Sequence, residues 1–234
     1  MTVRGVLRGL AIVLLLGFCL VSWAITVPLG WGPFWIRFFL GRVGYLVGLR
    51  VRVEGKPVSG QVLYVANHIS WLDILALGGD TRTRFIAKSE IAGWTLVGWL
   101  ATLAGSVFVS RDRRAETRAQ ADRVAGALRG DRPVTLFAEG GTGDGLSLRP
   151  FRASLFVAAI EADAMVQPVA IDYGPRRAAL AWFNTPFSHE MKRLLNRNER
   201  IPVTLRFLRA LDASMLDRKE LAAQTHAAIA AALT

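Results

Sequence analysis

The sequence predicts an α/β fold: a mostly parallel mixed sheet flanked by helices, preceded by an N-terminal membrane-embedded helical segment. Three observations lead there. Past residue 50, short apolar runs alternate with helix-like stretches, the pattern of strand–helix–strand units that build parallel sheets. From Leu10 to Ile36 no residue is charged, which exceeds the roughly 20 apolar residues that a bilayer-spanning helix needs. Polar residues of catalytic type follow directly on the apolar runs, where open α/β sheets place their sites.

Arg4 and Arg8 stand before the uncharged run. Ser22-Trp23-Ala24 offers a small-x-small cleavage pattern, so a cleavable leader is one reading. The apolar character continues through Val27 to Ile36 without a polar mature start, which favours a retained membrane segment. Pro28, Gly30, Gly32 and Pro33 then break the helix. From Phe34 to Leu49 the apolar pattern resumes, interrupted by Arg37 and Arg42. That mix suits an interfacial helix whose arginines reach toward headgroups. Trp23, Trp31 and Trp35 fit an aromatic belt at the membrane–water boundary. Residues 8–49 are expected to form a membrane hairpin, or one span followed by an interfacial helix. The chain therefore divides into an N-terminal anchor over 1–49 and a second domain over 50–234.

In that second domain strands are expected at 50–54, 61–66, 84–87, 106–109, 134–137, 166–171 and 203–208. Helices are expected at 73–78, 91–103, 112–128, 153–162, 189–195 and 217–233. The 234 residues suit one domain of moderate size with an appendage. One cysteine, Cys19, cannot form an internal disulfide, which is compatible with a reducing compartment. The formal net charge of +11 admits nucleic acid or an anionic surface as partner. No nucleic-acid motif is present, and a membrane anchor argues against that partner. An anionic lipid surface remains, where each Lys or Arg contributes on the order of 1 kcal/mol.

The strongest chemical signal follows the apolar run Val62-Leu63-Tyr64-Val65-Ala66. It reads Asn67-His68-Ile69-Ser70-Trp71-Leu72-Asp73. A His and an Asp five positions apart do not share one face of a straight helix, where facing pairs lie three or four apart. They meet if His68 lies in the turn after the strand and Asp73 in the first turn of the next helix. A neutral imidazole takes a proton from a hydroxyl near neutral pH, and a carboxylate on its other nitrogen fixes the tautomer. A carboxylate placed only to suit a helix N-terminus meets the same spacing. No Gly-x-Ser-x-Gly elbow accompanies the pair, so the economical chemistry is activation of a substrate hydroxyl that attacks an acyl donor directly. His189 and His226 lack ligand spacing, and no metal site is expected.

Three further segments follow expected strands. Ala138-Glu139-Gly140-Gly141-Thr142-Gly143-Asp144-Gly145 places glycines where backbone N–H groups can approach an anion or a reacting oxygen. It matches neither the phosphate-loop nor the dinucleotide pattern, and a glycine-rich surface turn fits it as well. Glu139 is a candidate partner for a substrate hydroxyl. Phe108-Val109-Ser110-Arg111-Asp112 offers Arg111, whose fork suits a phosphate or carboxylate or an ordinary ion pair. Lys88 in Arg84-Phe85-Ile86-Ala87-Lys88-Ser89-Glu90 either faces the same cleft or is a solvated lysine at a helix start.

Taken in this order, the segments resemble the glycerolipid acyltransferases of the lysophosphatidic acid acyltransferase type. Asn67 to Asp73 is similar to that family's His-x4-Asp block. Phe85 to Glu90 is similar to the segment after it. Gly105 to Asp112 is similar to the second block, which ends in a substrate-binding Arg. Phe137-Ala138-Glu139-Gly140 is similar to the start of the Phe-Pro-Glu-Gly-Thr block, and Val166 to Ile171 to the fourth, apolar block. Together they cover roughly residues 60–175. The resemblance implies an α/β acyltransferase in which His68 is the general base on a lysolipid hydroxyl and Asp73 orients it. It implies that Arg111, Glu139, Gly140, Gly141, Thr142 and Lys88 line the substrate site. The implied donor is acyl-CoA or acyl carrier protein, with no cofactor, and a thioester donor places the catalytic domain on the cytoplasmic face of the cell (inner) membrane.

The chain departs from the family pattern in the third block. Ala138 stands for the usual Pro and Gly141 for the usual Thr, with Thr142 next. The Arg that normally follows is absent, and Arg149 or Arg152 offers a guanidinium from a different position. Asp144-Gly145 and Pro150-Phe151-Arg152-Ala153-Ser154-Leu155 resemble the branch that includes lyso-ornithine lipid acyltransferases. Lyso-ornithine lipid and 1-acylglycerol-3-phosphate are therefore both expected acceptors, giving ornithine lipid or phosphatidic acid. The altered block also motivates a second class, a non-catalytic membrane-docked lipid-binding protein. A secreted hydrolase that uses water as nucleophile is a third.

Overall fold

The computed structural model describes residues 1–110, 117–182 and 185–234. The chain opens with α1 (Val3–Thr26), capped by the Thr2 hydroxyl accepting from the Gly5 N–H. Pro28 and Gly30, the latter at φ 79°, turn the backbone through a short 3-10 segment. The chain then enters α2 (Gly32–Leu46). The two helices pack together. The Trp35 indole donates to Thr26 Oγ1 across the bend at 2.8 Å, and Phe18 meets Trp35 edge to face. The helical stretch Val3–Leu29 is long and apolar enough to cross a membrane, and little of it is buried. Its foot is fixed to the globular body: Arg8 donates to the Leu195 and Arg197 carbonyls. The first 46 residues thus form two packed helices, and α2 also lies on α3, where Gly41 and Gly79 allow the backbones to touch.

The sheet domain follows with β1 (Leu49–Gly55), β2 (Val62–Ala66), α3 (Leu72–Asp80), β3 (Arg84–Lys88), α4 (Ser89–Ala92), α5 (Thr95–Leu103) and β4 (Val107–Val109). It continues with α6 (Thr117–Leu128), β5 (Val134–Phe137), α7 (Val157–Glu161), β6 (Met165–Asp172) and α8 (Arg177–Leu180). It closes with α9 (Phe187–Asn196), β7 (Ile201–Phe207), β8 (Leu211–Asp212) and α10 (Arg218–Leu233). The strands run in the order β1-β7-β6-β2-β5-β3-β4, with β8 beside β6. The β6–β7 and β6–β8 pairs are antiparallel and the others parallel. A mostly parallel mixed sheet is therefore the fold, as expected. Its two faces are covered separately. Tyr64, Leu72, Leu75, Leu180, Leu194 and their neighbours fill the side of α2, α3 and α9. Leu63, Val124, Leu128, Phe156 and Leu221 fill the side of α6, α7 and α10. The central strands β2 and β5 are buried on both faces, which explains their uninterrupted apolar sequences.

Some expected boundaries move for local reasons. The helix expected over 91–103 is two helices, because the chain turns at Gly93 and Trp94 between α4 and α5. The helix expected over 153–162 starts as a 3-10 turn at Ala153–Phe156. The first residues of the helix expected over 112–128 lie outside the described residues. The very short α8 and β8 leave no periodicity to read.

Candidate active site

Parallel pairing brings the separate sequence segments to one edge. Ala66 lies opposite Phe137 on one side of β2 and opposite Val169 on the other. The turns that carry His68, Glu139 and Tyr173 therefore leave adjacent strand ends. Lys88 pairs with Val109 at the ends of β3 and β4, on the same edge.

His68 lies in the turn after β2, and Asp73 in the first turn of α3. His68 Nδ1 is 2.9 Å from Asp73 Oδ2. The same oxygen accepts from the backbone N–H groups of Ile69 at 2.8 Å and Ser70 at 2.9 Å. Asp73 Oδ1 accepts from the Tyr173 hydroxyl at 2.7 Å. The Asp73 side chain is 0% exposed and that of His68 14%, so the carboxylate is enclosed while the imidazole reaches the surface. A carboxylate only accepts, which assigns the proton to Nδ1 and leaves Nε2 with its lone pair. The imidazole lies flat on Phe137, with ring centroids 3.9 Å apart and planes 12° from parallel. Phe137 in turn stacks on Phe85. Two constraints thus hold the ring: a hydrogen bond in its plane and an apolar face below it. Burial and the neighbouring Asp73 carboxylate hold the Tyr173 phenol well above the ordinary tyrosine range, so it remains a donor.

Asn67 ties this turn to the other neighbouring strand. Its amide donates to the Ile171 carbonyl at 3.0 Å and accepts from the Ile171 N–H at 2.8 Å, replacing a rung of the β2–β6 ladder.

Glu139 is buried, and both of its oxygens meet protein groups. Oε1 accepts from the His68 N–H at 2.7 Å, and Oε2 from the Arg149 N–H at 3.1 Å. The Arg149 Nε lies 3.5 Å from Oε2, within ion-pair range but without hydrogen-bond geometry. Burial pushes the Glu139 carboxyl above the usual glutamate range, and the two backbone hydrogen bonds pull it partly back. The glycine turn closes over the His68 turn, because the Gly143 N–H donates to the His68 carbonyl at 2.8 Å. Gly140 sits at φ 80°, and a Cβ there would lie 3.0 Å from the Arg152 guanidinium. The Gly141 carbonyl accepts from the Arg149 side chain, and Thr142 is half-buried in the same turn.

The structure therefore brings together His68, Asp73, Glu139, Gly140, Gly141 and Thr142. Lys88 is exposed at the end of β3, on the same edge, and no hydrogen bond among the described residues ties it to His68 or Glu139. Arg111 lies outside the described residues. Among the described residues no cluster of three or more metal-ligating side chains occurs. Sequence reasoning passed over Tyr173, Phe137 and the linking role of Asn67. Tyr173 had one readable signal, its place just past an apolar strand, but nothing in the sequence joins it to Asp73, 100 positions away.

The chain has relatives in sequence and in fold. Residues 50–172 match a family model described as Acyltransferase. A lyso-ornithine lipid O-acyltransferase from Pseudomonas aeruginosa is 39% identical over 204 residues, covering 84% of this chain and 77% of that protein. One of the same description from Rhodobacter capsulatus is 34% identical over 195 residues, covering 79% of this chain and 70% of that protein. A 1-acyl-sn-glycerol-3-phosphate acyltransferase from Neisseria meningitidis is 41% identical over 138 residues, covering 57% of this chain and 54% of that protein. The crystal structure of the 1-acyl-sn-glycerophosphate acyltransferase from Thermotoga maritima shares the fold. Its TM-score is 0.71 at 19% identity, over 99% of this chain and 96% of that one. The matched span runs from β1 to the end of β6 and encloses His68, Asp73, Glu139 and Gly140, and the chain belongs to the acyltransferase family.

Proposed function

We propose that this acyltransferase is a membrane-bound O-acyltransferase that adds a second fatty acyl chain to a lysolipid. The acceptor is lyso-ornithine lipid, 1-acylglycerol-3-phosphate or both, and the donor is an acyl thioester of coenzyme A or acyl carrier protein. The observation that carries the mechanism is the imidazole held by Asp73 through Nδ1 at 2.9 Å, with no carboxylate on Nε2 among the described residues. His68 Nε2 takes the proton of the acceptor hydroxyl as its oxygen attacks the thioester carbonyl. The C–S bond then breaks, and the departing thiolate receives the proton back from the imidazolium, which Asp73 stabilises meanwhile. No acyl-enzyme forms: the nearby Ser70 is fully buried, and its Oγ accepts from the Leu72 N–H at 3.3 Å.

The polar head is held by the turn after β5 and by Arg111. The Arg149 guanidinium donates to the Gly141 carbonyl and lies within ion-pair range of Glu139. Arg152 is exposed beside Gly140 and supplies a guanidinium for a phosphate or carboxylate headgroup. Glu139 acts by positioning the His68 backbone. Residues 1–49 anchor the protein, residues 50–234 carry the chemistry, and the catalytic domain faces the cytoplasm, where thioester donors are found. The basic chain, at net charge +11, suits an anionic membrane surface.

The test is a product assay on washed membranes with a labelled long-chain acyl thioester and the two acceptors in parallel, beside His68→Ala membranes. Label is expected in ornithine lipid, phosphatidic acid or both. His68→Ala is expected to lose activity by about 100-fold or more, the contribution of a general base. Retained turnover in that variant would overturn the mechanism. Label in neither product across several donors would overturn the lysolipid reading.

A further inference from the structure

We infer that α4 and α5 form a second membrane-docking element, separate from α1, which seats the rim of the His68 cleft on the bilayer surface. From Ile91 to Ser110 the sequence carries no charged residue. An apolar stretch of this kind in a soluble domain belongs in a core, yet here it lies outside. Trp94 is 43% exposed, Leu96 56%, Val97 38% and Trp99 48%. Most of the residues from Ala92 to Trp99 are exposed, with Gly98 the buried exception. Gly98 packs on the Ile91 and Ala92 carbonyls, which folds α4 and α5 into a compact hook with its side chains outward. A helix apolar on all sides is stable when surrounded by protein or lipid, not by water.

The occupant is a lipid surface for three reasons. Tryptophans at the ends of short apolar stretches prefer the headgroup boundary, where the ring is buried and the indole N–H stays wet. The patch is also tied through α9 to α1, the helix that carries the membrane-spanning apolar stretch. Trp94 lies 6.1 Å from Phe187 at the start of α9, and the other end of α9 holds the foot of α1 through Asn196 and the Leu195 carbonyl. Ten residues separate those ends, about 15 Å of helix, so one short helix carries both apolar elements. The patch also adjoins the reacting edge, because Phe187 packs on Trp71 at 6.0 Å and Trp71 lies between His68 and Asp73. A second protein copy on this surface would close the edge that a lipid acceptor must reach, whereas a bilayer would supply the acceptor there.

The docking element is tested without turnover, so its failure is distinguishable from failure of the proposed reaction. In a Cys19→Ser background, a polarity-sensitive fluorophore is placed at Val97→Cys and, separately, at Met215→Cys. Met215 is 77% exposed and follows β8, which pairs with the opposite end of β6 at Met165 and Val166. The labelled full-length proteins are reconstituted in anionic vesicles containing lipids brominated in the acyl chains. Position 97 is expected to shift to shorter wavelength and be quenched several-fold more than position 215. Equal quenching at the two positions, or no shift at 97, would overturn the proposal. So would concentration-dependent disulfide crosslinking between copies of the unlabelled Val97→Cys protein under a mild oxidant, which would mark a protein interface. As a second readout, Leu96→Lys with Val97→Lys is expected to lower turnover of vesicle-embedded acceptor by about tenfold or more, while a short-chain water-soluble acceptor is turned over as before. Equal loss on both acceptors in a folded protein would place the patch inside the substrate site instead and overturn the docking role.

Discussion

The turn after β2 and the turn after β5 lie side by side, yet they are closed in different ways. Asp73 takes three of its hydrogen bonds from His68, Ile69 and Ser70, all within five positions. Glu139 takes its hydrogen bonds from His68, 71 positions back, and from Arg149, 10 positions on. A loop of a few residues closes at small entropic cost, while the longer one closes only once the strands that bring its ends together are paired. The first turn therefore orients the imidazole largely by itself. The second places that turn relative to the neighbouring strand and to the arginines of the glycine turn. In the proposed mechanism, one carboxylate serves the chemistry and the other its location. The two sit in similar burial, so burial alone does not distinguish them.

The sharpest way to break this distinction is Asp73→Asn. The amide oxygen can still accept from the Ile69 and Ser70 N–H groups, so the turn keeps its shape, but the charge that the proposed mechanism uses to stabilise the imidazolium is gone. Turnover is expected to fall by about 10²–10⁴-fold with little change in acceptor KM. Steady-state kinetics on reconstituted protein decide it, and a loss under tenfold would show that Asp73 only shapes the turn.

Glu139→Gln is expected to do less to the rate, about 10-fold to 100-fold, because it acts on His68 only through the backbone. Its stability effect carries a sign. The folded carboxyl sits above the unfolded value, so the folded chain binds the proton more tightly in the window between the two. Stability contributed by this group is present below that window and is lost as pH rises through it. Denaturant unfolding in detergent across the weakly acidic range should show the advantage of wild type over Glu139→Gln shrinking with rising pH. An advantage that grows with pH would mean that the charged form is the one the fold prefers.

Tyr173→Phe comes next. It leaves the enclosed Asp73 Oδ1 without its 2.7 Å donor, which costs about 1–3 kcal/mol of stability. The rate is expected to drop about tenfold in kcat, with acceptor KM little changed, because Asp73 loses one of the bonds that fix it behind His68. Lost stability with unchanged kcat would assign Tyr173 to packing alone.

These same contacts explain what could be read in advance. The alternation of strands and helices, and the uncharged run from Leu10 to Ile36, are periodic or compositional and survive in one dimension. The His68–Asp73 pair was legible because its partners lie in one turn. The Glu139 segment was legible as a glycine turn, but its carboxylate was read as a contact to substrate. Its partners, the His68 and Arg149 N–H groups, come from the pairing of β2 with β5. Phe137 under His68 and Tyr173 behind Asp73 were illegible for the same reason: register, which no local spacing encodes, brings them there. The hook of α4 and α5 was read as one helix because Gly93 and Trp94 break it without a proline.

The smallest effect sharpens the comparison from the other side. Gly140 has the left-handed backbone of φ 80°, which costs a residue with a Cβ about 1–2 kcal/mol. Gly140→Ala would also press on the Arg152 guanidinium at 3.0 Å, the far end of a flexible side chain that yields by moving. The turn is thus expected to survive with Arg152 displaced. If Arg152 holds the headgroup, acceptor KM rises about 3-fold to 10-fold while kcat stays within about twofold, the signature of lost uniform binding. The His68 turn should not register the change, because its ties run through Glu139 and Gly143 rather than Gly140. A fall in kcat with unchanged KM would show instead that strain in the glycine turn reaches the imidazole, and that the two turns act as one unit.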